Sequence, residues 1–223
     1  MDRDTYARRE EMLSKTASEL GDGAAVIPEG CGASPASLIG LIRAARSWSE
    51  GDTPLGGGKR VHLVVDAGTG STAYGLALAA WALRLPWRVT AVAVGGTVRD
   101  IASRCKVLAG SWAAAHPALA PPPGALHMTM TTPQPLRAAL SGAKAKKWRF
   151  GVVEQTDADA CSDVEAQCGV PVDPVWTLWP CLEAHRMADE AAQQGHEGEE
   201  VIAWVHAGGV AGAWAGVRER FPA

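Results

Sequence analysis

The chain has 223 residues, 47% of them hydrophobic and 20% charged, with a net charge of -3, so it can bury one large core or two small ones, and its scattered Lys and Arg give no electrostatic footprint for nucleic acid. No apolar run reaches the roughly 18 to 20 residues that a membrane span needs, the longest, residues 73–85, being interrupted by Arg84 and stopped by Pro86. Five cysteines without a C-x-x-C pair and six histidines without an H-x-x-x-H pair indicate neither a disulfide framework nor a metal site, so reduced thiols in a soluble intracellular protein, of cytoplasm or organelle, are expected.

Residues 4–20, DTYARREEMLSKTASEL, read as a charged helix without the apolar core of a secretory signal, and residues 1–25 are set apart as an N-terminal helical segment. Val26 and Ile27 approach Pro28 and a turn at residues 29–32. Residues 35–48 then form a helix with Leu38, Leu41, Ile42 and Ala45 on its apolar side. After a loop at 51–60, Val61, Leu63, Val64 and Val65 make a β-branched run too continuous for a half-exposed hairpin, which implies a parallel strand covered on both faces. It enters a glycine-rich turn, and AYGLALAAWALRL beyond it reads as a helix.

A strand at 89–94 and a helix at 97–115 follow. Residues 117–135 hold six of the 14 prolines and read as a long surface loop or insertion. The cluster Lys144, Lys146, Lys147 and Arg149 reads as a solvated face. Residues 150–153 suggest a short strand, 157–168 a helix ending at Gly169, and 181–194 a helix ending at Gly195. Val201, Ile202, Trp204 and Val205 form a last strand leading into His206, Ala207, Gly208 and Gly209. Strands separated by helices predict an α/β fold, with a mostly parallel sheet and helices on both faces.

The segment VHLVVDAGTGST carries the chemistry. Gly68 and Gly70 let the backbone turn tightly and bring bare N–H groups to a ligand, while the start of the following helix supplies unpaired donors and a positive dipole end. This arrangement suits a phosphate. Gly68, Gly70 and Ala73 also fit the looser G-x-G-x-x-A dinucleotide form, but no acidic residue ends the next strand to hold a ribose.

Four segments occur in a fixed order between Val26 and Val210: VIPEGCGASPASLIGLIRAA, the glycine-loop strand, DPVWT within GVPVDPVWTLWPCLEA, and the strand ending in HAGG. In that order they resemble the PLP-dependent family of 1-aminocyclopropane-1-carboxylate (ACC) deaminase and D-cysteine desulfhydrase, whose members carry an IP-x-GG-type segment, an SGSGGT-like loop, DPVY[TSE] and HTGG. The resemblance covers residues 26–221 but only the C-terminal half to two-thirds of a typical member, and implies the large-domain half of a fold-type II PLP enzyme, of tryptophan synthase beta-like fold.

The resemblance implies that Gly68, Thr69, Gly70, Ser71 and Thr72 hold the phosphate of pyridoxal phosphate and that Thr177 faces the pyridine nitrogen. Trp176 and Ala207 then line the substrate pocket. Trp176 stands where the family has a tyrosine, and its indole N–H has no accessible acid or base form. Ala207 replaces a threonine, and His206 reads as a structural residue. The family's G-G-N-K lysine, which holds the cofactor covalently, has no counterpart in order, since Gly57, Gly58, Lys59 and Arg60 precede the glycine-loop strand. No catalytic residue is therefore assigned. The implied function is a lyase or deaminase acting on a small amino acid, with a non-catalytic phosphate-ligand-binding protein as the alternative. Without the family's N-terminal half the sheet would leave an apolar face and a strand edge uncovered, with Trp81, Trp204 and Trp214 poorly protected, so homo-oligomers are expected.

Overall fold

The computed structural model describes residues 8–26, 34–133, 149–196 and 198–208. The turn at 29–32, Lys144, Lys146, Lys147, Gly209 and Trp214 lie outside them. In chain order the elements are α1 (Arg9–Leu20), α2 (Pro35–Ser49), β1 (Val61–Ala67), α3 (Ser71–Ala82), β2 (Trp87–Ala93), α4 (Val98–Ala115), a 3-10 turn (Pro117–Leu119), β3 (Met128–Thr131), α5 (Gln155–Cys168), α6 (Leu178–Gln193) and β4 (Val201–Val205). The four strands form one parallel sheet of order β3-β2-β1-β4. The fold is thus α/β with helices on both faces, as the alternation of elements predicts.

Strand periodicity divides the core. Val61, Leu63, Val65 and Ala67 of β1 and Trp87, Val89, Ala91 and Ala93 of β2 point to the face covered by α2, α3 and α4, where they pack with Leu38, Leu76, Ile101 and Trp112. Val64, Val92 and Val94 point the other way, against Trp179 and Ala184 of α6. Ala158, Cys161 and Val164 of α5 add a smaller cluster with Leu178 and Cys181. Helix α3 is buried from Ser71 to Ala80 apart from Thr72, as its nearly all-apolar sequence requires of a helix enclosed on every side.

Polar side chains also enter the α6 face. His62 is 5% exposed; its Nε2 lies 2.7 Å from Thr90 Oγ1, which lies 2.9 Å from Thr129 Oγ1, a ladder across β1, β2 and β3. Helix starts follow local chemistry. Ser34 caps α2 ahead of Pro35, and Thr97 and Asp100 form a reciprocal capping box at α4.

The structure corrects two readings. Residues 128–131, inside the proline-rich stretch, are not loop but edge strand β3: the run Met-Thr-Met-Thr alternates and pairs with β2 from Val89↔Met128 to Val92↔Thr131. Residues 150–153 are a turn rather than a strand, with Val152 N bonded back to Arg149 O at 3.2 Å. Helix α6 also begins at Leu178, three residues before the expected start at Cys181. Among the described residues no helix is long and apolar enough to cross a membrane.

Candidate functional site

The sheet reverses direction of growth at β1: β2 and β3 lie on one side and β4 on the other. In open parallel sheets the crevice beyond the carboxyl ends at such a switch point is where ligands bind. The glycine loop leaves β1 at this point. Gly70 is the N-cap of α3 with φ +83° and has no side chain to cap the helix, which leaves the first-turn N–H groups beyond Ser71 without an intrahelical partner. Thr69 Oγ1 donates to Ser71 Oγ at 3.1 Å and accepts from Ser71 N at 3.4 Å, closing a small hydroxyl turn over the helix start. The structure thus brings Gly68, Thr69, Gly70, Ser71 and Thr72 together at one helix N-terminus.

The loop is held from three sides. Arg104 Nη1 of α4 donates to Gly68 O at 2.6 Å. Gly95, just past β2, approaches so closely that a Cβ on it would lie 2.6 Å from Gly68 Cα. The ring of Trp176 lies on Gly68, where a Cβ would come within 2.7 Å of it, and Phe150 meets that ring edge-on with centroids 5.2 Å apart. Gly70 itself is fixed by the core, since a Cβ there would lie 2.7 Å from Cys105 Sγ. Gly70→Val is therefore expected to lose several kcal/mol of stability through strain and overpacking, which a denaturant titration without any ligand measures; an unchanged midpoint would show that this backbone is free to relax.

Trp176 is aimed by the turn it belongs to. Asp173, 2% exposed, accepts from Val175 N at 3.0 Å and Trp176 N at 2.8 Å with one oxygen, and from Thr177 N at 3.2 Å and Thr177 Oγ1 at 2.9 Å with the other. Thr177 Oγ1 in turn accepts from Asp173 N at 2.8 Å. Thr177 is 0% exposed, and its hydroxyl proton is committed to Asp173 within this turn. His206, at the end of β4, lies 3.1 Å from Pro171 O through Nε2, which ties the β4 exit to the same segment. Ala207 is exposed just beyond.

Asp66 is a functional candidate that family resemblance does not supply. It is the last residue but one of β1, on the α6 face, and its Oδ1 is shielded from solvent with no hydrogen-bond partner. Burial, with a smaller contribution from Asp173, pushes its carboxyl up to about 6. A lone acid inside the apolar run VHLVVDA is a signal the sequence carries. Gly95 and Arg104 carry no comparable local signal, because their roles depend on which strand ends become neighbours. Among the described residues no group of three or more His, Cys, Asp or Glu is placed to hold a metal ion.

Lys59 lies at the opposite end of the sheet. It precedes β1, with Nζ 3.4 Å from Pro54 O, and the seven residues of β1 put roughly 20 Å between the strand's two ends.

Comparison with known proteins places this geometry. No family model matches the chain. Over 161 residues it is 32% identical to a protein of Oryza sativa subsp. japonica whose name provisionally assigns it as D-cysteine desulfhydrase 2, mitochondrial; the match covers 69% of this chain and 36% of the rice protein. A solved structure of an ACC deaminase homologue matches with a TM-score of 0.60 at 22% identity, over 97% of this chain and 58% of the other. The chain therefore has the fold of that homologue, and the sequence similarity supports a relation to the desulfhydrases. It spans about a third of the length of the rice protein.

Proposed function

We propose that this chain is the phosphate-binding part of a PLP-dependent lyase of the D-cysteine desulfhydrase and ACC deaminase kind, acting on a small amino acid. The observation that carries the reading is the glycine loop at the switch point, where α3 starts at Gly70 and the hydroxyls of Thr69 and Ser71 lie together, with Thr72 next in the chain. That donor set fits a phosphate dianion, with hydroxyl and N–H donors at a positive helix end. When bound, pyridoxal phosphate supplies an electron-withdrawing ring and an aldehyde that captures an amino group. The chain's own residues do the rest. The loop binds the phosphate, Arg104 and Gly95 fix the loop, and Trp176, held by Asp173, gives the ring an apolar wall that excludes water.

A second reading, a binder of phosphate-bearing ligands without lyase turnover, is favoured by the place of Lys59 at the far end of β1 and by the indole at position 176. The phosphate function is common to both. Thr72→Ala is expected to weaken binding of PLP and of inorganic phosphate by about 1 to 3 kcal/mol, the range of a hydrogen bond to a charged group, when measured by calorimetry. Identical isotherms for wild type and variant would remove the loop from the site. Borohydride reduction of the PLP-loaded chain separates the two readings, because only the lyase reading requires a single labelled lysine together with turnover.

A further inference from the structure

Asp66 stands apart from the other polar groups of the crevice because the folded chain gives its Oδ1 no donor. Asp173 accepts four hydrogen bonds, Thr177 is closed on Asp173, and His206 is tied to Pro171. Asp66 Oδ1 is shielded from solvent with no partner at all, although its neighbours on the same sheet face, Val64, Val92 and Val94, show that the position accommodates an apolar side chain. A carboxylate oxygen shut off from water without a donor is costly to keep. Its place is informative too. It lies two residues before Gly68, on the sheet face against which Trp176 packs, next in sequence to the loop that offers the phosphate donors.

We propose that Asp66 receives a protonated ring nitrogen of the ligand whose phosphate the glycine loop holds, so that the crevice selects a phosphorylated nitrogen heterocycle over a phosphorylated carbocycle. The inference rests on the phosphate reading above and adds to it a residue and a selectivity. It transfers to Asp66 the contact that family resemblance implies for Thr177, which is 0% exposed and whose hydroxyl proton goes to Asp173. No covalent step is involved. The carboxyl accepts an N–H from the ring, and the hydrogen bond supplies the partner that the chain itself does not give Oδ1. With the acceptor ionised, the pair is charge-assisted and favours the protonated ring.

The test uses the full chain and two probes that cannot react covalently: 4-deoxypyridoxine 5′-phosphate, which has the ring nitrogen, and benzyl phosphate, which lacks it. Calorimetry on wild type, Asp66→Asn and Asp66→Val gives each dissociation constant, and cooperative unfolding of each variant establishes that it is folded. We expect wild type to favour the pyridine probe by at least about tenfold, the ~1.4 kcal/mol step of one modest hydrogen bond to a charged group. Asp66→Val should erase that preference while leaving benzyl phosphate unaffected, and Asp66→Asn should leave a reduced preference. The ultraviolet spectrum of the bound pyridine should show a protonated ring in wild type and lose that signature in Asp66→Val. If both probes bind wild type and both variants alike, the assignment of Asp66 is overturned and the phosphate reading stands. If wild type binds neither probe nor inorganic phosphate, the phosphate reading fails and the inference fails with it.

Discussion

Asp173→Ala is expected to lose about 3 to 5 kcal/mol of stability, the upper range for a single substitution, and to release Trp176 from the glycine loop. One carboxylate accepts from three consecutive backbone N–H groups and from the Thr177 hydroxyl. Removing it strands those donors in a place where Thr177 is 0% exposed and no water reaches its hydroxyl, and each buried donor left without a partner costs about 1 to 3 kcal/mol. Water compensates part of this at Val175 and Trp176, which are only half-buried. Asp173→Asn keeps one acceptor oxygen and should recover about half of the loss. The measurement is the denaturant midpoint with the slope held constant, followed alongside by tryptophan fluorescence. Asp159→Ala, at an exposed acid of α5 paired with Gln155, is the control and should change stability by less than about 0.5 kcal/mol. A loss below about 1 kcal/mol for Asp173→Ala would mean that the turn holds its shape by packing alone.

The DPVWT segment shows how far sequence alone reaches. Its order relative to the glycine loop is legible, and so is its closeness to the site. The role of each residue is not, because it depends on hydrogen bonds that only the folded turn reveals: Asp173 organises, Trp176 covers Gly68, and Thr177 closes the turn. The strands β1, β2 and β4 and the helices α2, α3 and α4 are legible because apolar patterns of the right length sit between glycine or proline breaks. Strand β3 is not. It has four residues, Met and Thr alternating at a sheet edge, and it lies in a proline-rich stretch whose composition argues for loop. The turn at 150–153 misleads in the opposite direction, since Phe150, Val152 and Val153 have strand propensity but pair with no strand among the described residues. Arg104 and Gly95 belong to the site through close approach of chain segments 27 or more residues apart, to Gly68, and no local pattern encodes that.

Asp66 and His62 should make opposite contributions to stability as the pH falls from 7 to 4, and removing either should expose the other. Burial, reinforced by Arg88 and opposed by Glu200 and Glu183, lowers His62 from its ordinary 6.5 to about 4. Its folded state resists a proton that the unfolded chain accepts, so its contribution is complete above pH 6.5 and is lost as the pH falls toward 4. Asp66 has the reverse sign. Burial and Asp173 raise it from 3.8 to about 6, against its own backbone N–H and His206. The folded state then takes up a proton before the unfolded chain does, so ionised Asp66 destabilises the fold above pH 6, and that penalty is relieved as the pH falls toward 4. Each shift corresponds to about 3 kcal/mol, and the two windows overlap between pH 4 and 6. Asp66→Asn should therefore be more stable than wild type at pH 7 by up to about 3 kcal/mol, with the advantage gone at pH 4. His62→Gln should gain on wild type by a similar amount over the same fall in pH. Carboxylates common to all three proteins cancel in the differences, so the informative quantity is the variant-minus-wild-type unfolding free energy at each pH. Parallel profiles would show that neither group changes its proton affinity on folding. A gain at neutral pH for Asp66→Asn would mean that the fold keeps an acid that costs it stability, as expected of a group whose partner arrives with the ligand.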